Sequence, residues 1–523
     1  MFGRKKLIFL LAVVSLLASV LSGCGNNNSE TPAKNSEKEP NKAAEPVELS
    51  VFSWMWEGAD APDSLIYKRL QEKLNIRIKP ITSSWNDWEE KLNVMIASGE
   101  MPDLFVSNGI GKPIQYRQWI KEGLILPLSD YADQYPNIQN SLANFEMIAK
   151  TTGGKHYALP IYNESGNNKE SINGHNILVR KDWLEKLGLE VPKTIDDFYA
   201  VAKAFTENDP DGNGKKDTYG YTSSSGGVWW QYPIFNAFDT STERWEKKDG
   251  KWMPEVISDE TKQTLVFLNQ MYKEKILDPE FMLNTDEKKF EKFVTGKVGI
   301  MVHNVNAAAY KDLSTKLQQA YPNKDPKSMF TWVGTLKGKT GIQRMDGSNN
   351  FWCQTAINAN LSEEKRTKAL ELMDYLLSPE GQDLMLNGIE GVHYKKEGDK
   401  IVPLMSEEER SKDKGFTLRT LVSWNSDYLP DNTPNKEDIL AIAKSTGDYA
   451  VPNPLDFLNV SEEALDPSLT GQLNDFVNEQ VIEMIVNSKN VTADFDKFKE
   501  TWMSKGGTKV IEETNKQATV EGR

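Results

Sequence analysis

The chain commits to a fold at Val47-Glu48-Leu49-Ser50-Val51-Phe52 and in the stretch that runs on to Val106. Apolar and polar residues alternate over 47–52, which predicts a half-buried strand. From Pro62 to Leu74 the period becomes helical, with Ile66, Leu70 and Leu74 on one face, and Ile76 to Ile81 is strand again. A third unit repeats the pattern: a helix over Trp88 to Ala97 with Leu92 and Ile96 on one face, a stop at Ser98-Gly99, and the apolar strand Leu104-Phe105-Val106. Strand, helix, strand, helix, strand predicts an α/β body with a mainly parallel sheet. Ligands of such sheets sit beyond the carboxyl ends of the strands. Trp54, Trp56, Ser107 and Asn108 therefore fall beside a candidate cleft.

Upstream of the first strand lie a basic head (Arg4, Lys5, Lys6), an apolar run from Leu7 to Leu21 and then Leu21-Ser22-Gly23-Cys24. This is the pattern of a secretory signal, with an apolar run too short to span a membrane. The small residues before Cys24 resemble the bacterial lipobox, which implies cleavage after Gly23 and lipidation of Cys24. Residues 24–45 are rich in Asn, Lys, Glu, Pro, Ser and Ala without apolar periodicity, so they read as a flexible leash behind the lipidated Cys24. The expected location is the outer face of the cytoplasmic membrane, reached by lipid.

The chain has 523 residues and a formal charge of −14, and removal of a signal with three basic and no acidic groups takes the charge to −17. So acidic a body argues against nucleic acid and against electrostatic adhesion to anionic lipid. With two cysteines, one of them Cys24, a disulfide framework is excluded, and Cys353 reads as a small buried hydrophobe. His156, His175, His303 and His393 show no metal-ligand spacing.

Further along, Lys155 to Pro160 reads as a strand, Asn163 to Asn173 as a polar loop, Asn176 to Arg180 as a strand and Asp182 to Leu187 as a helix stopped at Gly188. Thr194 and Asp197 have the spacing of a capping box for a helix to Phe205. Helical patterns at Leu265–Lys275, Glu363–Leu377, Pro379–Asn387 and Leu473–Val486, and strand patterns at Gly296–Val302 and Phe351–Ile357, follow. No repeat of 20 to 50 residues recurs.

Several stretches together resemble the extracellular solute-binding proteins of carbohydrate ABC transporters, in the long lipoprotein branch related to maltose- and alginate-binding proteins. They are 97–104 (ASGEMPDL), 178–188 (LVRKDWLEKLG), 209–217 (DPDGNGKKD), 296–301 (GKVGIM), 377–381 (LSPEG) and 388–394 (GIEGVHY). The resemblance spans the whole mature chain. It implies a two-lobed, type II periplasmic-binding-protein-like α/β fold with a ligand cleft between the lobes. Residues 46–165 plus 348–430 would form the N-terminal lobe, and 166–347 plus 431–523 the C-terminal lobe. It also implies a monomer that closes on an oligosaccharide and hands it to permease subunits served by a cytoplasmic ATPase.

Asp209, Asp211 and Asn213 stand at positions 1, 3 and 5 of a calcium loop, with Gly214 at the turn, the Lys215 carbonyl at 7 and Asp217 at 9. Gly220 stands where an EF-hand carries its final Glu, so this loop is expected to hold a structural Ca²⁺ with part of its shell supplied from elsewhere. A polar turn without metal is the alternative.

A sugar needs flat aromatic platforms and side chains that donate and accept hydrogen bonds. Fourteen tryptophans are available. The candidate platforms are Trp54, Trp56 and Trp85 in the first lobe, Trp229, Trp230 and Tyr232 in the second, and Trp352 near a crossing. The candidate polar partners are Glu57, Asn108, His303, Asn304, Asn306 and Arg344, the last as a clamp for a uronate carboxylate. Trp88, Trp119 and Trp183 lie in helical patterns and are expected in the core. A single candidate Arg in an acidic body favours neutral or mixed plant-cell-wall oligosaccharides. The sequence also admits a sugar sensor feeding a membrane kinase and, since carboxylate pairs abound, a secreted glycosidase or polysaccharide lyase. No nucleophile elbow, HExxH or phosphate loop supports the enzyme, so the expectation is a binding protein.

Overall fold

The computed structural model describes residues 45–54, 63–84, 87–108, 113–162, 171–172, 175–224, 231–305, 307–348, 351–398, 400–423, 436–455, 458 and 467–523. The signal, Cys24 and the leash up to residue 44 lie outside the described residues, as do Trp56, Glu57, Trp85, Trp229, Trp230, Asn306 and the side chain of Trp352.

In chain order the strands are β1 (Val47–Phe52), β2 (Ile76–Ile81), β3 (Leu104–Ser107), β4 (Leu159–Tyr162), β5 (Ser171–Ile172), β6 (His175–Arg180) and β7 (Tyr219–Tyr221). They continue with β8 (Trp245–Lys248), β9 (Lys251–Pro254), β10 (Val298–Asn304), β11 (Phe330–Trp332), β12 (Met345–Ser348) and β13 (Phe351–Ile357). The first sheet has the order β2-β1-β3-β13-β4. β1 runs parallel to β2 and β3, and β13 is antiparallel to β3 and β4, so the expected mainly parallel sheet is present with one reversed strand. The second sheet, β11-β6-β10-β7, is mixed, because β6 is antiparallel to both its neighbours. A three-stranded sheet joins β5, β12 and Ala450–Val451.

Each main sheet has its own apolar core. Leu49, Val51, Phe52, Leu104, Phe105 and Val106 are sealed in the first, together with residues as distant in sequence as Leu370 and Leu421. Trp183, Phe198, Phe205, Leu265 and Phe495 belong to the core beneath the second sheet. Trp88, Trp119 and Trp183 are buried as expected, and so is Cys353, whose thiol burial pushes well above its ordinary pKa.

Local chemistry sets the element ends. Ser64 caps the helix Leu65–Leu74 by accepting from the Tyr67 amide at 3.0 Å, and the Asp413 carboxylate takes the Leu65 amide at 2.8 Å, which favours a helix start. The Thr194–Asp197 capping box is formed, and Gly188 ends the helix Lys181–Leu187 in the left-handed region at φ +66. Two boundaries shift. The strand expected at Lys155–Pro160 lies at Leu159–Tyr162, because the His156 amide bonds the Ser129 hydroxyl instead of a strand partner. The helix expected from Leu265 starts at Asp259, where Ser258 supplies its cap.

Several buried charges of the scaffold are closely paired. Asp103 accepts from the Ser50 amide at 2.8 Å and from Lys365 Nζ at 2.7 Å, while the Ser50 hydroxyl accepts from the Asp103 amide at 2.9 Å, which latches β3 to β1. In the second core Arg180 holds Asp182 with two bonds of 2.8 and 2.7 Å and lies over the rings of Trp183 and Tyr321. Asp278 accepts from Thr222 at 2.8 Å, Asn284 at 3.0 Å and Lys292 at 2.8 Å. The Asp103 latch makes a prediction: Asp103→Ala strands the Ser50 amide and Lys365, and should destabilise the protein by about 2 to 4 kcal/mol in urea unfolding. A loss below about 0.5 kcal/mol would remove the latch from the account.

Candidate ligand-binding site

A buried polar group without a partner is unfavourable by about 1 to 3 kcal/mol, so where such groups gather is informative. In the first sheet they gather at the carboxyl edge. Ser107, the last residue of β3, has a buried hydroxyl with no partner among the described residues, and Gln354, its register partner on β13, has neither amide atom bonded. The Ser423 hydroxyl is likewise unpaired, in the segment whose Thr420 approaches Ser53 just after β1. Asn108 follows directly and is partly exposed.

The second sheet repeats this arrangement. Ser223 follows β7, His303 ends β10, and Trp332 and Thr335 end and follow β11; the Ser223 and Thr335 hydroxyls, His303 Nε2 and Trp332 Nε1 have no partner among the described residues. Gln231 leaves Nε2 unpaired while its Oε1 accepts from Tyr221 at 2.9 Å. The antiparallel pairing brings His175 opposite Asn304 at the same edge. His303 stacks on Trp332 with ring centroids 6.4 Å apart and 11° between planes, so an imidazole edge and an indole lie side by side. Other unpaired groups, among them Tyr67, Tyr116, Ser314 and Gln382, lie away from these edges.

Three expected ligand residues sit differently. Trp54 is buried in the first core, tilted against Trp88 at 5.5 Å, and is not an open platform. Tyr232 opens the buried helix Tyr232–Ala237 and donates its hydroxyl to the His175 carbonyl. The Arg344 guanidinium is already held by Glu255 at 2.6 Å, Asp239 at 3.1 Å and Asn236 at 3.3 Å, with Asp346 at 3.5 Å, so it braces the start of β12. Asn108, His303 and Asn304 stand at the two carboxyl edges. The sequence places Ser107 beside the cleft but does not mark its hydroxyl, or Gln354, Ser423, Ser223, Gln231 and Thr335, as groups without a partner; Gln354 lies next to Thr355 in its strand and carries no distinct sequence signal.

Electrostatics at the second edge favours neutral imidazoles. Burial, then the nearby Lys289 charge, lowers the pKa of both His175 and His303 to about 3. A folded pKa below the unfolded value of about 6.5 means that the unfolded chain takes up protons first as pH falls. Stability is then fully present above about pH 6.5 and declines between there and pH 3, by up to about 1.4 kcal/mol per unit for each histidine.

The loop 209–217 is folded on itself. Asp209 accepts from the amides of Gly212, Asn213 and Gly214, each at 3.0 Å, and Asn213 Nδ2 bridges Asp211 at 2.7 Å and Asp217 at 3.0 Å. Gly212 and Gly214 sit at φ +77 and +76, the left-handed turns that bring these side chains together. Burial, and then the hydrogen bond that the protonated Asp211 carboxyl donates to Asp209, raise the pKa of Asp211, as expected of crowded carboxylates. Among the described residues no group of three His, Cys, Asp or Glu side chains is arranged as a metal cage, and Asp217 is paired with Lys297 at 2.7 Å. Asp209, Asp211, Asn213 and Asp217 are oxygen-bearing side chains of the kind Ca²⁺ takes, and here they bond one another, backbone amides and Lys297.

Two lobes, each an α/β sheet with an unpaired polar edge, define a type II binding-protein fold. The chain belongs to the family of bacterial extracellular solute-binding proteins, whose profile matches residues 53–383. It is 26% identical over 524 residues to the polygalacturonan/rhamnogalacturonan-binding protein YtcQ of Bacillus subtilis, and 26% identical over 528 residues to lipoprotein LipO of the same organism; each match covers 98% of both chains. Among solved structures, FusA, the Streptococcus pneumoniae ABC-transporter substrate-binding protein, in complex with kestose superposes with a TM-score of 0.70 over 91% of this chain and 99% of that one, at 22% identity. An EF-hand mutant of FusA with fructo-nystose superposes with a TM-score of 0.68 at the same identity and coverage. These superpositions show the fold.

Two measurements follow. Trp54→Ala should lower stability by about 3 to 5 kcal/mol in urea unfolding, as a core truncation, where a surface platform would leave it near zero. Replacing His175 and His303 together by Gln should flatten the fall in melting temperature between pH 7 and pH 5; an unchanged slope would place the acid sensitivity elsewhere.

Proposed function

We propose that this protein captures an oligosaccharide between its lobes outside the cell and delivers it to an ABC importer. The observation that carries the reading is the pair of carboxyl edges with unpaired buried polar groups. Hydroxyls supply donors and acceptors together, which is what Ser, Gln and His side chains without protein partners can match. Residues 46–165 with 348–430 and residues 166–347 with 431–523 are taken as the two lobes; the separation of the apolar cores supports this. The ligand set is taken as Trp56, Glu57, Trp85, Asn108, Trp229, Trp230, His303, Asn304, Asn306 and Trp352; Trp54, Tyr232 and Arg344 are engaged in core packing, a backbone hydrogen bond and ion pairs. Ligand favours closure because contacts to both edges exist only in the closed form.

The names of YtcQ and FusA support carbohydrate as the ligand class, and their role as binding proteins supports capture over catalysis. Since Arg344 is ion-paired, it is no free uronate clamp, which favours neutral or mixed oligosaccharides. Lipidation of Cys24, by analogy with the lipoprotein name of one relative, would hold the protein near its permease. The carbonyl of Lys215 and the side chains of Asp209, Asp211, Asn213 and Asp217 would hold a structural Ca²⁺ that steadies the second lobe; the EF-hand mutant made in FusA supports this.

Calorimetry with kestose, neutral xylan and arabinan fragments and oligogalacturonates tests the ligand class. Binding of at least one neutral or mixed sugar at micromolar Kd with no product formed is expected; binding of uronates alone, or hydrolysis, would overturn the reading. For the metal, excess Ca²⁺ should raise the melting temperature relative to chelator, by an amount that grows with ion concentration. Identical melting in the two would remove Ca²⁺ from the loop.

A further inference from the structure

Gln354 is fully buried, and neither its Nε2 nor its Oε1 has a partner among the described residues. An amide in that position forgoes hydrogen bonds that water would give it in the unfolded chain. Directly across the ladder, Ser107 is also buried with its hydroxyl unpaired. Strand alternation puts Gln354 and Ser107 on the sheet face of Phe105 and Ala356, opposite to Thr355, whose hydroxyl is satisfied by the Leu421 carbonyl at 2.7 Å. The same segment meets Pro160 on its other side, and the register with β4 slips between Phe351 and Gln354. Such irregularities re-aim side chains and are over-represented beside binding sites. The polar pair, the register slip and the carboxyl end of β3 thus coincide.

We infer that Gln354 and Ser107 form a first-lobe subsite that reads one ligand hydroxyl, and that it is a specificity-determining element of the oligosaccharide site. The inference rests on the proposed function. An amide beside a hydroxyl offers two donors and two kinds of acceptor at one point, so a sugar hydroxyl can donate to Gln354 Oε1 and accept from its Nε2 or from Ser107. An alcohol-lacking analogue leaves those groups unpaired, which makes the subsite discriminate more strongly than an apolar wall does. The reading also accounts for an amide that stays unbonded between sealed Cys353 and sealed Thr355, the latter having its own carbonyl partner.

Gln354→Leu keeps volume and removes the amide, and Ser107→Ala removes only the hydroxyl. Both variants and the wild type are melted without ligand and titrated with kestose, arabinan fragments and oligogalacturonates. The expected result is an unchanged or raised melting temperature in both variants, with affinity for whichever sugar the wild type binds reduced roughly tenfold or more. A melting temperature several degrees lower in both, with affinity within twofold of wild type, would make the pair a structural polar contact and overturn the inference. A wild type that binds none of these sugars would instead tell against the oligosaccharide reading. In that case a raised melting temperature in Gln354→Leu would still show an unpaired amide at this point, and a lowered one would end the subsite as well.

Discussion

Everything in this structure turns on the requirement that a polar group removed from water find a partner. Through most of the scaffold it is met closely. Asp103 joins two strands and a helix, Asp278 collects three side-chain donors, Arg180 is pinned by Asp182 between two rings, and Arg344 answers several acids at once. At the carboxyl edges of the two sheets it is not met: Ser107, Gln354 and Ser423 on one side and Ser223, His303, Trp332 and Thr335 on the other keep polar atoms with no partner among the described residues. Single unpaired groups such as Tyr116, Ser314 and Gln382 are scattered through the scaffold, but only at these edges do several stand together at strand ends, where a ligand can complete them.

The small sheet of β5, β12 and Ala450–Val451 gathers strands from beside the positions where the chain passes between the two main sheets. Arg344 lies immediately before β12 and ties it to Glu255 and Asp239 of the second core region. The guanidinium that looked like a ligand clamp therefore helps to fix the strand from which the two bodies diverge. Breaking a buried pair of this kind leaves a charge unanswered, so its integrity matters more than its net contribution.

Much of the architecture was legible in the sequence because local and global signals agreed. The alternation at 47–52, the helical period to Leu74 and the stop at Gly99 each mark an element that the structure contains. The reversal of β13 and β6 was not legible, because strand direction depends on pairing between segments far apart in sequence. At the site, the strand-end position read from the sequence for Asn108, His303 and Asn304 is where the structure has them. Aromatic character alone did not show that Trp54 and Tyr232 are buried, since the same rings that stack on sugars also fill cores. Gln354 shows the converse: its significance appears only when the lack of partners is visible.

The central claim is that one ligand completes both polar edges and so draws the lobes together. Small-angle scattering of the protein, alone and with a saturating oligosaccharide whose binding calorimetry has established, measures this directly. The account predicts a smaller radius of gyration in the loaded protein. An unchanged radius at saturation would contradict it, because the sugar would then be held by one edge alone.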